Sequence, residues 1–386
     1  MLTRRAFLGR ACVASAHAAI LGAGVGCVAP DRRGAARAPE APLPEPVVAP
    51  PGAPMIEHAE VSSGPLLLPS PDCSPGRVMR CVAGVRPYRE GGVRIEVQRV
   101  GDHWIAHHYG HGGAGITLAP GTAAEVVRRL ASLGAPLREA AVLGAGVAGL
   151  MTAHTLLDAG CRVTIYTDRL PRDTTSWVAG GQWAPAGVGA GTPGFARHCA
   201  EALRWYERRL GEEFGVFRRP NYVVGPGGGG FSRLPRGLLP AARTVDPLPF
   251  AGATRRGLVY ETLLVEPPRM LTRLSEEVFE RCESVERRRF VDADEFLDLP
   301  ERTVVNCLGL GARDVAGDAS VVPIRGQLAL LEAQDLPYLL SHRGYMFPRS
   351  DAVVLGGTYE RGVESLAIDA PTCDRIRRRT ESFFMS

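Results

Sequence analysis

A chain of 386 residues can bury a large core and is long enough for one complex domain or two interleaved ones. Its 45% hydrophobic content is that of an ordinary globular protein, and much of the net charge of +4 sits at the front, where Arg4, Arg5, Arg10, Arg32, Arg33 and Arg37 face only Asp31, Glu40 and Glu45. The rest is close to neutral, which argues against a nucleic-acid partner, and the nine cysteines form no C-x-x-C pair, which argues against a zinc site or a redox dithiol.

Met1-Leu-Thr-Arg-Arg-Ala-Phe-Leu8 resembles a twin-arginine export signal, and the apolar stretch from Ala11 to Val28 is too weak for a stable membrane span. Residues 1–28 therefore read as a removable leader. That route carries folded proteins to the periplasm or beyond and suits a chain that takes up a tight cofactor first. Gly26-Cys27 offers a lipoprotein cleavage point, with Gly24 standing where leucine is usual, and Cys27 would carry the anchor. Residues 29–60 are a Pro/Ala-rich tether. Seven cysteines remain in the body, an odd number scattered through expected strands and helices, so no disulfide framework is expected.

In the next segment, Ala83-Gly-Val-Arg-Pro87 precedes alternating Val93, Ile95 and Val97, a strand pattern. Trp104-Ile-Ala-His-His-Tyr-Gly-His-Gly-Gly-Ala-Gly-Ile-Thr117 follows, and Thr122 is expected to cap a helix carrying Ala123, Val126, Val127 and Leu130. His103, His107, His108 and His111 lack a helical spacing or an accompanying carboxylate, which weighs against a metal site. The glycine loop opening onto a helix instead suits close backbone approach to an anionic or electron-rich ring.

Ala141-Val-Leu143 then breaks into Gly144-Ala145-Gly146-Val147-Ala148-Gly149 and a helix-period run that ends at Gly160. Gly144 permits a tight turn, Gly146 lets the backbone approach a pyrophosphate, and Gly149 allows close helix–strand packing. A second strand, Arg162 to Tyr166, leads to Asp168, where an acid would bind a ribose hydroxyl. The following loop holds Thr174, Thr175 and Ser176, then Ala179, Gly180 and Gly181. It fits contact with a phosphate and a flavin edge, and the same residues would also suit a capped helix start. Amphipathic helices are expected from Phe195 to Leu210 and from Pro267 to Cys282, a strand from Arg302 to Gly309, antiparallel strands over 325–331, 345–348 and 353–359, and a basic helix from Cys373 to Phe384.

Together the glycine motif, Tyr166-Thr-Asp-Arg169, the loop from Thr174 to Trp183, Val304-Val-Asn-Cys-Leu-Gly309, Arg325-Gly-Gln327, Tyr345-Met-Phe-Pro348, Leu355-Gly-Gly357, Val85-Arg-Pro87 and Gly110 to Thr117 resemble the D-amino acid oxidase family of FAD-dependent amino acid oxidases. The resemblance implies an α/β fold in which a Rossmann-like FAD-binding domain is interleaved with an antiparallel-sheet (α+β) substrate domain. It implies oxidative deamination of a D-amino acid to the 2-oxo acid, ammonia and hydrogen peroxide by hydride transfer to FAD, with oxygen or another acceptor downstream and no dedicated catalytic side chain. Arg86, Tyr345 and Gly113 would hold the substrate. FAD would contact Gly144 to Gly149, Asp168, Arg169, Thr174, Thr175, Ser176, Ala179, Gly180, Gly181, Val291, and Gly112, Gly113, Ala114, Gly115, Ile116 and Thr117. Ser341 and Ala114 stand where some members carry aromatic residues, which implies a more open pocket.

The order of these motifs departs from the family, whose dinucleotide motif opens the chain and whose Arg-Pro strand and Gly-His-Gly-Gly loop close it. The sequence therefore reads as a circular permutant: 61–135 the moved closing segment, 136–190 the FAD-binding core, 191–260 the first substrate part, 261–316 the FAD domain continued, and 317–386 the second substrate part. The short link Gly134 to Glu139 would rejoin the pieces, and Ser386 would end near residues 60–75. A flavin dehydrogenase, a secondary-amine (glycine- or sarcosine-like) oxidase, and a non-catalytic nucleotide-binding module stay open as alternatives.

Overall fold

The computed structural model of the chain describes residues 67–188, 193–225 and 228–385. The leader, Cys27, the tether and Ser386 lie outside them. Among the described residues, fifteen strands build two sheets and six α-helices accompany them.

Val78–Arg89 (β1) is a twelve-residue strand. It turns at Gly91 and Gly92, both at positive φ, into Arg94–Val100 (β2) and His103–Tyr109 (β3). Gly115–Ser132 (α1) follows, then Glu139–Leu143 (β4), Val147–Asp158 (α2) and Arg162–Thr167 (β5). Beyond Phe195–Glu207 (α3) come Val216–Val223 (β6), Arg243–Val245 (β7) and Gly257–Val265 (β8). Pro267–Arg281 (α4), Ser284–Arg287 (β9), Thr303–Asn306 (β10) and the short Ala312–Val315 (α5) return the chain to the first sheet. Val321–Leu331 (β11), Leu339–Ser341 (β12), Tyr345–Pro348 (β13), Val353–Gly356 (β14), Glu360–Arg361 (β15) and Ala370–Phe384 (α6) complete the second.

The first sheet runs β2-β3-β10-β4-β5-β9, parallel except for β2. Residues Ala140 to Leu143 and Val304 to Val305 are completely buried, as central parallel strands covered on both faces must be. The second sheet runs β1-β11-β14-β13-β12-β6-β8-β7, with β15 against β11, and is antiparallel apart from the β12/β6 pair. β1 pairs with β11 from Val78↔Leu331 to Arg89↔Val321, so one connection joins the sheets between β1 and β2.

One helix departs from the sequence expectation. Thr122 does not cap α1; it sits inside it, fully buried, because the helix already begins at Gly115 and runs through Pro120. Proline lacks the N–H that would bond the Ile116 carbonyl, and the buried Tyr206 hydroxyl of α3 donates to that carbonyl at 2.5 Å instead. Gly121 lets the two helices touch, since a β-carbon there would meet the His198 carbonyl at 2.0 Å. Thr122 accepts from both His108 Nε2 (2.8 Å) and His111 Nε2 (3.0 Å) while its hydroxyl donates to Leu118 O, and His108 Nδ1 faces Thr152. The cluster thereby ties β3 and the glycine loop to α1 and α2. The loop from Thr174 does not start a helix; it runs irregularly to Gln182.

Candidate active site

The glycine motif forms a cradle whose shape is set by three contacts. Gly144 adopts φ +103°, donates to Tyr166 O at 2.7 Å, and has the Cys307 carbonyl 2.8 Å from where a β-carbon would stand. A β-carbon on Gly149 would lie 1.8 Å from Gly144 O, so only glycine lets α2 approach β4 this closely. At Gly146 the nearest atom to such a carbon is Ser176 Oγ at 3.5 Å, which leaves the backbone open to a ligand. Ala145 is buried in the turn, and Val147 and Ala148 open the helix. Val147 N–H donates to Ser176 Oγ at 3.1 Å, which brings the serine loop to the helix N-terminus.

A second helix N-terminus converges on the same place. Gly115, the first residue of α1, would bring a β-carbon to 3.2 Å from Val147 Cγ1. Two sets of free amides and two positive dipole ends thus sit side by side, a strong anion site. Asp168 follows β5 with its carboxylate half-exposed, 3.8 Å from Arg169 Nε, at the place where an acid of a dinucleotide fold meets a ribose. A glycine cradle, paired helix N-termini and a free acid fit the pyrophosphate and ribose of a dinucleotide.

The other named cofactor residues divide by role. Thr174 donates to Pro171 O and Thr117 to Ala184 O, so these hydroxyls are used by the protein. Ile116 presents its carbonyl to Tyr206. Thr175 packs its methyl beside Gly84 of β1. Ala179 O accepts from Arg349, and Gly181, at φ +113°, would clash with Val265 O at 2.2 Å if it bore a side chain. Val291 has its side chain in solvent, and its N–H donates to Glu295 Oε1 in the capping box after β9.

Opposite the cradle, β1 and β13 bring the expected substrate residues together. Arg86 projects over Gly326, where any β-carbon would lie 2.5 Å from both terminal guanidinium nitrogens. Its charge acts on the neighbouring Tyr345 phenol, and its Nη1 lies 3.4 Å from Thr358 O. It is half-buried and among the described residues has no carboxylate partner, as also holds for half-buried Arg209 and Arg379, whereas Arg89, Arg94, Arg325 and Arg377 each have one. Gly113 sits across from it, a β-carbon position there being 3.6 Å from Arg86 Cδ. Tyr345 stacks on Phe347 with centroids 4.2 Å apart, and both rings would lie 3.0 Å from a β-carbon on Gly180. The loop that holds Gly180 therefore lies directly on the second sheet. Burial raises the Tyr345 phenol above its usual range, opposed by the Arg86 charge, so the hydroxyl stays a proton donor at neutral pH.

Gly326, Thr358, Tyr359 and Phe347 complete this wall, with Tyr359 6.0 Å below the Arg86 guanidinium. Sequence reasoning gave them no role: Gly326 sits in Arg325-Gly-Gln327, and only the β1/β11 register, which opposes Ile324 to Arg86, reveals why glycine is needed next to it. Thr358 and Tyr359 follow a bend that carries no signal of its own.

A dinucleotide cradle with an arginine that lacks a carboxylate and a half-buried tyrosine near it is the arrangement of a dinucleotide-dependent oxidoreductase that acts on a small carboxylate. Residues 139–386 match the family model described as FAD dependent oxidoreductase, and the chain belongs to that family. It is 32% identical over 260 residues to a D-amino-acid oxidase of Streptomyces coelicolor, covering 62% of this chain and 76% of that protein. It is 28% identical over 262 residues to human D-aspartate oxidase, covering 62% and 74%, and 31% identical over 268 residues to a D-amino-acid oxidase of Rubrobacter xylanophilus, covering 64% and 77%. The cofactor is FAD, and the chain is an oxidoreductase acting on amino acids.

Proposed function

We propose that the protein oxidises D-amino acids to their imines, which hydrolyse to the 2-oxo acid and ammonia, and passes the electrons to oxygen to give hydrogen peroxide. The observation that carries this reading is Arg86, a half-buried guanidinium without a carboxylate, placed between Tyr345 and Gly113. A buried cation lacking an anion is costly, and a substrate carboxylate supplies the missing partner. FAD, when bound, supplies the two-electron acceptor for the α-carbon hydride. Arg86 grips the carboxylate by both terminal nitrogens, the Tyr345 hydroxyl donates to it, and the Gly113 carbonyl accepts from the amine. Three fixed contacts define the α-carbon's handedness, so orientation carries the catalysis and no side-chain base is required. The relatives' names, D-amino-acid oxidase and D-aspartate oxidase, favour the D series.

The same reading treats the chain as circularly permuted, with 61–135 as the closing segment, 136–190 and 261–316 as FAD domain, and 191–260 and 317–386 as substrate domain. It is supported by the family match beginning at Glu139, inside β4, although β3, the Gly110–Gly113 loop and α1 precede β4 and complete the same sheet beside β10. Residues 1–28 would direct export by the twin-arginine route, to be checked by fractionating cells that express the full chain. The test of function is a panel of D- and L-amino acids offered to the purified holoenzyme under air. Peroxide and 2-oxo acid from D-substrates alone are expected; 2-oxo acid without peroxide would make the protein a dehydrogenase, and turnover of L-substrates would refute the stereochemistry.

A further inference from the structure

Two thiols outside the active site meet between the first and last elements of the described fold. Cys81 lies on β1 opposite Ala329 of β11, half-buried on the face that α6 covers. Cys373 lies in the first turns of α6 and is buried. The register places them together independently of either side chain. Asp369, the N-cap of α6, donates its backbone N–H to Gln327 Oε1 at 2.7 Å, and Gln327 is the partner of Ala83. Four residues along a helix and two along a strand cover nearly the same distance, about 6 to 7 Å, so Cys373 arrives level with Ala329 and Cys81. One turn further, Arg377 Nη1 donates to Cys73 O at 2.6 Å, which fixes the helix axis over the start of β1. The two side chains are near enough for Cys81 to add to the effect of burial in raising the Cys373 thiol.

We propose that Cys81 and Cys373 form a peroxide-driven disulfide that locks α6 onto β1. The accessible Cys81 thiol is oxidised by hydrogen peroxide to the sulfenic acid with release of water. Cys373 then attacks that sulfur, its proton and the hydroxyl leave as a second water, and the S–S bond forms. One peroxide is reduced to two waters as two thiols become one disulfide. The oxidant is the product of the oxidase reaction proposed above, and to that extent the inference rests on that reading. Burial, and then the Cys81 contact, push the Cys373 thiol up to about 12, so closure is slow and the bond accumulates over many turnovers, as a latch rather than a fast switch. The loop it closes spans roughly 290 residues, where cross-linking constrains the unfolded chain most.

The test treats the full-length holoenzyme with added hydrogen peroxide and maps its peptides by mass spectrometry without reduction. A Cys81–Cys373 cross-linked peptide is expected, with Tm raised by about 5–10 °C and returned by reductant. Cys81→Ser and Cys373→Ser each abolish the shift, whereas Cys73→Ser, which removes the neighbouring buried thiol, leaves it. Both cysteines remaining separately alkylatable, Cys81 passing to the sulfinic acid, or a bond to Cys73 would overturn the proposal. A second arm replaces added peroxide with a D-amino acid under air. Cross-linking that catalase suppresses is expected; cross-linking by added peroxide but not by turnover would keep the thiol pair and count against the oxidase reading alone.

Discussion

Arg86 is the residue on which the proposed chemistry turns. Replacing it with alanine removes a bidentate charge-assisted pair of about 2–4 kcal/mol, so KM should rise roughly 30- to 1000-fold while FAD stays bound, because the cradle lies on other elements. Arg86→Lys should recover little of this, since an ammonium reaching over Gly326 offers one direction of contact where the guanidinium offers two. Steady-state kinetics with flavin absorbance measured in the same samples checks both. Arg86, Tyr345 and Gly113 were legible in the sequence as separate motif matches, some 260 residues apart at the extremes. Gly326 was not, because its requirement comes from the Arg86 side chain, which arrives from another strand, and a glycine's neighbours across a sheet leave no trace in its own segment; Gly180 was expected at the flavin, but not the press of Tyr345 and Phe347 on it.

At the scale of elements, α1 and the strand before it carry the clearest tests. Tyr206→Phe would leave Ile116 O without a partner in a helix already missing the Pro120 N–H; a loss of about 1–3 kcal/mol and a Tm lower by about 2–6 °C are expected in thermal denaturation. The sequence pointed to a helix here but misplaced its start, since Pro120-Gly121 reads as a break when the hydroxyl that mends it lies on another helix. β3 and its loop bring three buried histidines whose protonation burial opposes: His107 is held at about 3, His111 at about 4 and His108 well below the ordinary range. Their folded values lie below the unfolded one of about 6.5, so the unfolded chain binds protons first as pH falls. Stability is therefore whole above pH 6.5 and declines between about 6.5 and 4, by about 1.4 kcal/mol per pH unit for each histidine. Denaturant unfolding across that window should show a steep acid loss that His107→Gln lessens. Gly149→Ala, which forces a carbon onto Gly144 O, should yield protein without flavin or no soluble protein, judged by its colour on purification.

For the whole molecule, the two interleaved sheets were foreseeable because each motif named its own layer, the parallel strands by unbroken apolar runs and the antiparallel ones by alternation. What the sequence could not express is that β1 serves one sheet and β2 the next, a division set by the turn at Gly91-Gly92. If 61–135 is the family's closing segment moved forward, a gene that opens at Glu139 and rejoins residues 66–138 behind residue 386 through a short flexible linker should fold to a yellow, active enzyme with KM within a few-fold of the original. The central claim is that this site grips a carboxylate through Arg86 so that only one hand of an amino acid offers its α-hydrogen to FAD. The most direct test is anaerobic mixing of the holoenzyme with a D-amino acid, its L-enantiomer and the corresponding D-amino acid amide, following the visible flavin band. Rapid bleaching by the D-acid, with the enantiomer inert and the amide far slower, is the predicted result. Equal bleaching by acid and amide, or by both enantiomers, would contradict it.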